Sequence, residues 1–533
     1  MMTGYRPLLW PGGFALLSTL GLAAVALIAL LHAAPDLSVT SVWDTYTLRV
    51  LRFTVTQALL STALSLAFAL PVARAFARRT SFPGRTLLLR LMGLPLVLPV
   101  IVAVFGIAAV WGQNGAISNT MEAAGLPGLS PLYGLSGILI AHVFFNMPLA
   151  VRLLLGAWHA IPGESWRLAG QLGMGPWAIF RLIELPRLIA VIPGVAMLIF
   201  LLCFTSFAVV LALGGGPRNT TLEVAIYQAL RLDFDIARAV GLALIQVAAC
   251  AVMAVIFFRF AKTPESQATE ERLVARPDTG HLTSRLIDGL ALVTGSLWVL
   301  GPLCAILIAG LSGPVLDVLS RQEVWAAALR SVSVGVGAGF LALLLGLALL
   351  ATTRDLAVRA RRTRLADRME LAGSLTLVIS PIVLGAGLFV LLLPVVPVFD
   401  WALPLAAMVN GIVAVPYVLR ILAPTLRRTA EHHDRLCASL GLRGWARIRH
   451  LEWPASRKGI ATAWALASAL ATGDLTAIAL FGTERDATLS LMLYRALGSY
   501  RMDEAAVLAL LLVGLCLMVF VVIEGGIGGR TRT

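Results

Sequence analysis

Residues 167–186 read RLAGQLGMGPWAIFRLIELP, and residues 435–454 read RLCASLGLRGWARIRHLEWP. Laid together without a gap, nine of the twenty positions are identical: Arg167/Arg435, Leu168/Leu436, Leu172/Leu440, Gly173/Gly441, Trp177/Trp445, Ala178/Ala446, Arg181/Arg449, Glu184/Glu452 and Pro186/Pro454. The same offset of 268 pairs Pro148 with Pro416, Arg152 with Arg420 and Gly214 with Gly482. Leu and Ala coincide by chance, but Trp, Gly and Pro in one register do not. The chain is therefore a duplication, and such self-similarity has to be read before any local pattern. Each copy predicts a short amphipathic helix up to the Gly, a chain reversal there, and a second short helix carrying the Trp. The Trp is expected to anchor the reversal by packing, and the Pro to open the next long helix.

Working outward, the flanks are apolar. Of the 533 residues 59% are hydrophobic and 13% charged, with a mean hydropathy of +0.89. A water-soluble chain of this size needs far more charge to cover its surface. Lipid asks for no such cover. Twelve segments are long enough to cross a hydrocarbon core of about 30 Å: 12–34, 54–75, 91–113, 133–155, 188–213, 237–260, 287–312, 330–352, 372–395, 402–423, 458–481 and 503–524. The first follows Arg6 and runs to His32-Ala33-Ala34. It is long for a signal-peptide core and precedes many further spans, so it is taken as a retained helix.

The gaps between segments alternate in charge. After the second come Arg78, Arg79, Arg85 and Arg90; after the eighth, Arg354, Arg359, Arg361, Arg362, Arg364 and Arg368. Residues 114–132 contain no Lys or Arg. Placing the Arg-rich gaps in the cytoplasm accounts for the net charge of +14 without nucleic acid, and puts both termini inside. Polar residues 262–286 have linker composition and divide the chain into a first half, 1–261, and a second half, 287–533, of six spans each. Equal orientation makes the repeat parallel, with its pseudo-two-fold axis along the membrane normal. The expected fold is all-α: about twelve transmembrane helices in two six-helix repeats. Both repeated reversals are expected on the cytoplasmic side, and two matched loops suggest two equivalent partner surfaces.

These loops resemble the EAA motif of binding-protein-dependent ABC importer permeases, in which a Gly follows an Ala-rich turn and an apolar stretch ends in Leu-Pro. Ala169, Gly173 and Leu185-Pro186 match in the first half, Gly441 and Pro454 in the second. The family's Glu position is held by Arg167 and Arg435, with Glu164 nearby. A narrower resemblance, to fused thiamine/thiamine-pyrophosphate importer permeases, covers nearly the whole chain through LGGGPRNTTLEVAIYQAL (213–230), LALIQ (242–246), GDLTAIALFG (473–482) and LGSYRMDEAAV (497–507). Fused ferric-iron permeases share the layout and part of the Gly-rich segment. The resemblance implies a type I permease fold in the bacterial inner membrane, loops that dock on a separate ATP-binding subunit present in two copies, and a periplasmic substrate-binding protein. It also implies that the small-molecule substrate is thiamine or its phosphates. The chain itself agrees on the second subunit. Its only lysines, Lys262 and Lys458, do not follow Gly, so a Walker A motif is absent.

Polar residues within spans are the candidates for a path. Asp474, on the eleventh segment, would favour a cation; its repeat counterpart is Ser206. His142 and Asn410 are repeat partners, and Asn146 is one turn from His142. They could line a path or form interhelical hydrogen bonds, the commoner use. Pro95, Pro99 and Pro381 are expected mid-span, kinking segments three and nine. His432-His433 point too far apart to share a metal, the five cysteines lack CxxC spacing, and no nucleophile–base set is evident. No metal, cofactor or catalytic residue is therefore expected. An ion-coupled secondary transporter would need paired intramembrane acids, and a membrane enzyme a clustered catalytic set.

Overall fold

The structure, a computed structural model, describes residues 9–33, 43–129, 132–260, 276–377, 379–442 and 444–528. These residues form helices, and no strand occurs among them. A chain in lipid must satisfy each backbone N–H and C=O within itself, which a helix does. Eleven helical runs are long and apolar enough to cross a membrane, and Pro381–Leu392 is a shorter apolar helix at the ninth position.

The expected segments are continuous in sequence but not all in structure. The third divides into Arg85–Leu91, a turn at Leu94–Leu96 and Val100–Trp111. The ninth divides into Thr363–Ser374, a turn at Leu375–Leu377 and Pro381–Leu392. Pro95, Pro99 and Pro381 therefore do not kink running helices. Pro95 lies in the first turn of its short helix, Pro99 caps Val100–Trp111, and Pro381 opens its helix behind Ser380, whose hydroxyl accepts the N–H groups of Ile382 and Val383. A proline fits there because its missing N–H would have no helical partner. The fifth and eleventh segments are also broken, into Leu185–Phe204 with Ala208–Leu213 and Trp453–Thr472 with Thr476–Phe481.

The halves interlock. The first long helix, Trp10–Ala33, packs on the second half's Gln322–Arg354 and Pro381–Leu392. Its counterpart Leu282–Ser312 packs on the first half's Thr45–Arg78 and Val100–Trp111. The backbones approach closely at glycines. A Cβ on Gly387 would lie 2.6 Å from the Ala26 carbonyl oxygen, and one on Gly106 would lie 2.7 Å from that of Pro302. Small residues allow helices in lipid to meet in this way. The Gly12 N–H donates to Thr352 Oγ1 at 2.9 Å, so the start of the first helix lies beside the Arg354 end of the eighth.

Candidate functional site

The two repeated loops reverse in the same way at their glycine, although the helix before it is short, as expected, only in the first half and in the second is the continuous end of the tenth span. In the first, helix Gly163–Gln171 stops at Gly173, φ +60°; in the second, Ala402–Ser439 stops at Gly441, φ +66°. The Met174 N–H donates to the Ala169 carbonyl at 3.0 Å, and the Leu442 N–H to the Cys437 carbonyl at 2.9 Å. This six-to-one bond over a left-handed residue is a Schellman stop, which glycine adopts without a Cβ clash. Nothing lies within 4 Å of a Cβ placed on either glycine, so conformation and not space requires glycine there. Both elbows then enter the next span through one wide helical turn, Phe180–Glu184 and Ile448–Glu452, followed by Pro186 and Pro454 in the first turn of the long helix.

The structure corrects the expected role of the tryptophans. Trp177 is 71% and Trp445 73% exposed. They sit on helices of four residues, Pro176–Ile179 and Gly444–Arg447, and Trp177 lies 5.7 Å from the ring of Phe180 in the turn that follows. Leu168, Leu172, Leu436 and Leu440 are exposed beside them. Each elbow thus presents an aromatic–aliphatic face, and matched exposed apolar patches of this kind mark interaction sites. Ala169 is buried beneath the first face, whereas Glu164 and Arg167 point outward, with Glu164 in the first helical turn where the macrodipole favours an acid. Arg435 lies on Ala402–Ser439, but its side chain is outside the described residues.

Behind the faces lie ion pairs that sequence inspection misses. Fully buried Glu184 pairs with Arg74 at the end of the second span, Nε to Oε2 2.6 Å, and with Arg276 from the segment joining the halves. Glu452 pairs with Arg354 at the end of the eighth span and with Arg447, each at 2.7 Å. The Glu184/Glu452 identity was the available signal; their span-end partners, Arg74 and Arg354, lie about 100 residues away along the chain. Asp278 accepts from Arg276 at 3.0 Å and from Arg78 at 2.8 Å. Burial alone would raise the Asp278 carboxyl, but the Arg276 hydrogen bonds and the charges of Arg276 and Arg78 hold it below the usual carboxylate range. Burial likewise opposes the Arg276 charge and is outweighed by Asp278 and Glu184.

The candidate path residues separate into two groups. Asp474 and Ser206 occupy the equivalent breaks in the eleventh and fifth segments. The Asp474 Oδ2 accepts the Ala477 N–H at 3.1 Å, and its carboxyl also interacts with the side chains of Thr476 and Asn410. Gly473 abuts Pro99 of the first half, so this break lies where the halves meet. His142 and Asn146 are instead buried and bonded: His142 Nδ1 is 2.9 Å from Ser61 Oγ, and Asn146 Nδ2 donates to the His142 carbonyl and to Cys203 Sγ. Here the interhelical use prevails in the first half. Glu223, not singled out from sequence, is fully buried. It accepts from Gln246 at 2.9 Å and from Ser380 of the second half at 2.7 Å.

Comparison with known proteins fits this geometry. Residues 356–527 match the family described as binding-protein-dependent transport system inner membrane component. The thiamine transport system permease protein of Brucella abortus (strain 2308) is 43% identical over 521 residues, 97% of this chain and 95% of that protein. Its counterpart from Escherichia coli (strain K12) is 42% identical over 539 residues and the whole of both chains. The chain belongs to the family of thiamine transport system permeases. A molybdenum transport system permease protein from Azotobacter vinelandii is 32% identical over 180 residues, 34% of this chain. The permease is thus a multi-pass membrane protein, and its repeated elbows belong to a transport machine.

Proposed function

We propose that this permease carries thiamine, or its phosphates, across the inner membrane, driven by ATP hydrolysed on a separate subunit. The carrying observation is the pair of matched elbows, each with an exposed Trp and a Glu, fully buried in the first and partly so in the second, tied to the end of a span. Two equivalent faces suit two copies of one ATPase. A force applied to either face reaches the second or eighth span through an Arg–Glu pair, and reciprocal packing of the first and seventh helices passes it to the opposite half. Rigid-body motion of interlocked halves is a standard route to alternating access. In this reading 1–261 and 287–533 are the moving halves, and both termini lie with the elbows in the cytoplasm. A secreted binding protein delivers substrate to the other face. ATP hydrolysis is assigned to the partner subunit and no catalytic step to this chain.

The thiamine assignment is supported by relatives of that name aligned over the full length, and by Asp474, with Asn410, at the break between the halves, where a carboxylate favours a thiazolium cation. Ser206 lines the equivalent break, and His142 and Asn146 support the wall behind it. The test is uptake of labelled thiamine by vesicles containing permease, ATPase and binding protein, with molybdate and ferric ion as competitors. Thiamine uptake that unlabelled thiamine alone suppresses is expected. Asp474→Asn should cut uptake roughly tenfold, the scale of one lost charge interaction, with the complex still assembled. Wild-type uptake in that variant would remove Asp474 from the path.

A further inference from the structure

The two elbows are not wired by the same residues. In the second half an unbroken charge chain runs Arg354–Glu452–Arg447–Asp434–Arg359, with Arg354 to Glu452 and Arg447 to Glu452 at 2.7 Å and Arg359 to Asp434 at 2.8 Å. Both middle members belong to the repeated loop. At the offset of 268, their first-half counterparts are Ile179 for Arg447 and Trp166 for Asp434, so the first loop has lost that pair. Yet a chain of the same order is present: Arg74–Glu184–Arg276–Asp278–Arg78, with Arg74 to Glu184 at 2.6 Å, Arg276 to Asp278 at 3.0 Å and Arg78 to Asp278 at 2.8 Å. Its middle pair comes from the segment between the halves. The outer arginines correspond as well, for Arg74 and Arg354 each lie at the cytoplasm-proximal end of the second helix of their half.

We infer that Arg276 and Asp278 are positioning residues of the first elbow, supplying from the inter-half segment the ion pair that Arg447 and Asp434 supply within the second. The fit extends beyond charge. The Arg276 guanidinium stacks 4.2 Å over the ring of Trp166, the residue standing where Asp434 would be, and a planar guanidinium suits an aromatic face. Pro277 lies against Gly170 on the elbow helix. Both strap residues are buried, Asp278 completely. The strap continues into Leu282–Ser312, where buried Asp288 holds Arg78 at 3.2 Å and Arg79 at 2.9 Å. The first elbow is therefore tied to the second span and, through the strap, to the seventh, whereas the charge chain of the second elbow leads to the end of the eighth span and the turn that follows it. What composition presents as a tether is part of the force path.

This inference rests on the elbows being ATPase-coupling loops, and the experiment separates the two. Full-length permease would be compared as wild type, Arg276→Ala/Asp278→Ala, and the mirror variant Asp434→Ala/Arg447→Ala. A fourth protein would add Trp166→Asp/Ile179→Arg to the strap variant, moving the pair into the loop. Amide exchange, which needs no ATPase, should rise roughly tenfold in 163–184 and stay unchanged in 432–454 for the strap variant, with the reverse in the mirror variant, the pattern of local opening. In vesicles with ATPase and binding protein, thiamine moved per ATP should fall roughly tenfold for both, and relocation of the pair should restore exchange and coupling together. Unchanged exchange in 163–184 overturns the inference. So does faster exchange with normal transport per ATP, which would leave the elbow reading intact. The elbow reading fails separately if Trp177→Ala/Trp445→Ala still binds and couples the ATPase like wild type. Should the relocated protein not fold, the strap–mirror comparison decides alone.

Discussion

The first and second elbows share the left-handed glycine at Gly173 or Gly441 and the wide turn ending in Glu184 or Glu452, with a second left-handed glycine, Gly444, only where the first has Pro176, but they bury their charges to different degrees. Glu184 and Asp278 are wholly inaccessible, whereas Glu452 retains 16% and Asp434 20% side-chain exposure. The strap covers the first network; nothing equivalent covers the second among the described residues. Duplication thus preserves the exposed aromatic–aliphatic face and the glycine reversal, and lets the supporting shell diverge provided each carboxylate keeps two arginines. Coulombic support is indifferent to where along the chain a guanidinium comes from, while backbone conformation is not.

The largest asymmetry should appear on removing the carboxylates. Glu184→Ala removes a fully buried carboxylate from between Arg74 and Arg276, a loss of about 3–5 kcal/mol by the usual behaviour of broken buried pairs. Glu452→Ala should destabilise distinctly less, because solvent already reaches its carboxylate, while Arg276 and Arg447 each keep an Asp partner. Thermal unfolding of the two purified variants in detergent checks this, and equal losses would erase the distinction drawn between the networks. The glycines test the opposite half of the comparison. Gly173→Val and Gly441→Val should each cost about 1–2 kcal/mol of elbow strain and should uncouple ATP hydrolysis from thiamine uptake to the same degree, since the two φ values nearly coincide. A coupling defect confined to one of them would mean that the elbows do unequal work.

Much of this arrangement is legible before folding. The apolar runs are visible because lipid permits them, and the elbows because Trp, Gly and Pro recur in register. The breaks at 205–207 and 473–475 are not visible, since a short apolar helix after a three-residue interruption has the hydropathy of a continuous span. Pro95, Pro99 and Pro381 are conspicuous, but position within an apolar run does not distinguish a kink from a helix start; capping does. Trp177 and Trp445 mislead because a large aromatic in a repeated motif suggests a core, and only their exposure in the fold shows otherwise. Arg276 and Asp278 are the hardest to find. Offset comparison aligns like positions, so a residue that takes over a role from elsewhere in the chain has no counterpart to match.

The finest test of the strap that distinguishes the first elbow comes from acid. Asp278 lies outside the spans, and its carboxyl is held below its ordinary value of about 3.9 by Arg276 and Arg78. A depressed carboxyl stabilises the docked strap fully above the ordinary value, and the contribution is lost as pH falls through the depressed one. Strap docking should therefore be flat from about pH 8 to about pH 5 and loosen below about pH 4. Amide exchange in 163–184, corrected for its intrinsic pH dependence, reads this directly. Asp278→Asn should begin looser and lose the part of the acid response that belongs to this carboxyl, since its amide cannot titrate and accepts from only one side. If Asp278→Asn and the unaltered permease respond identically to acid, the carboxylate is not what holds the strap, and the first elbow is secured by the Arg276–Trp166 stack and Glu184 alone.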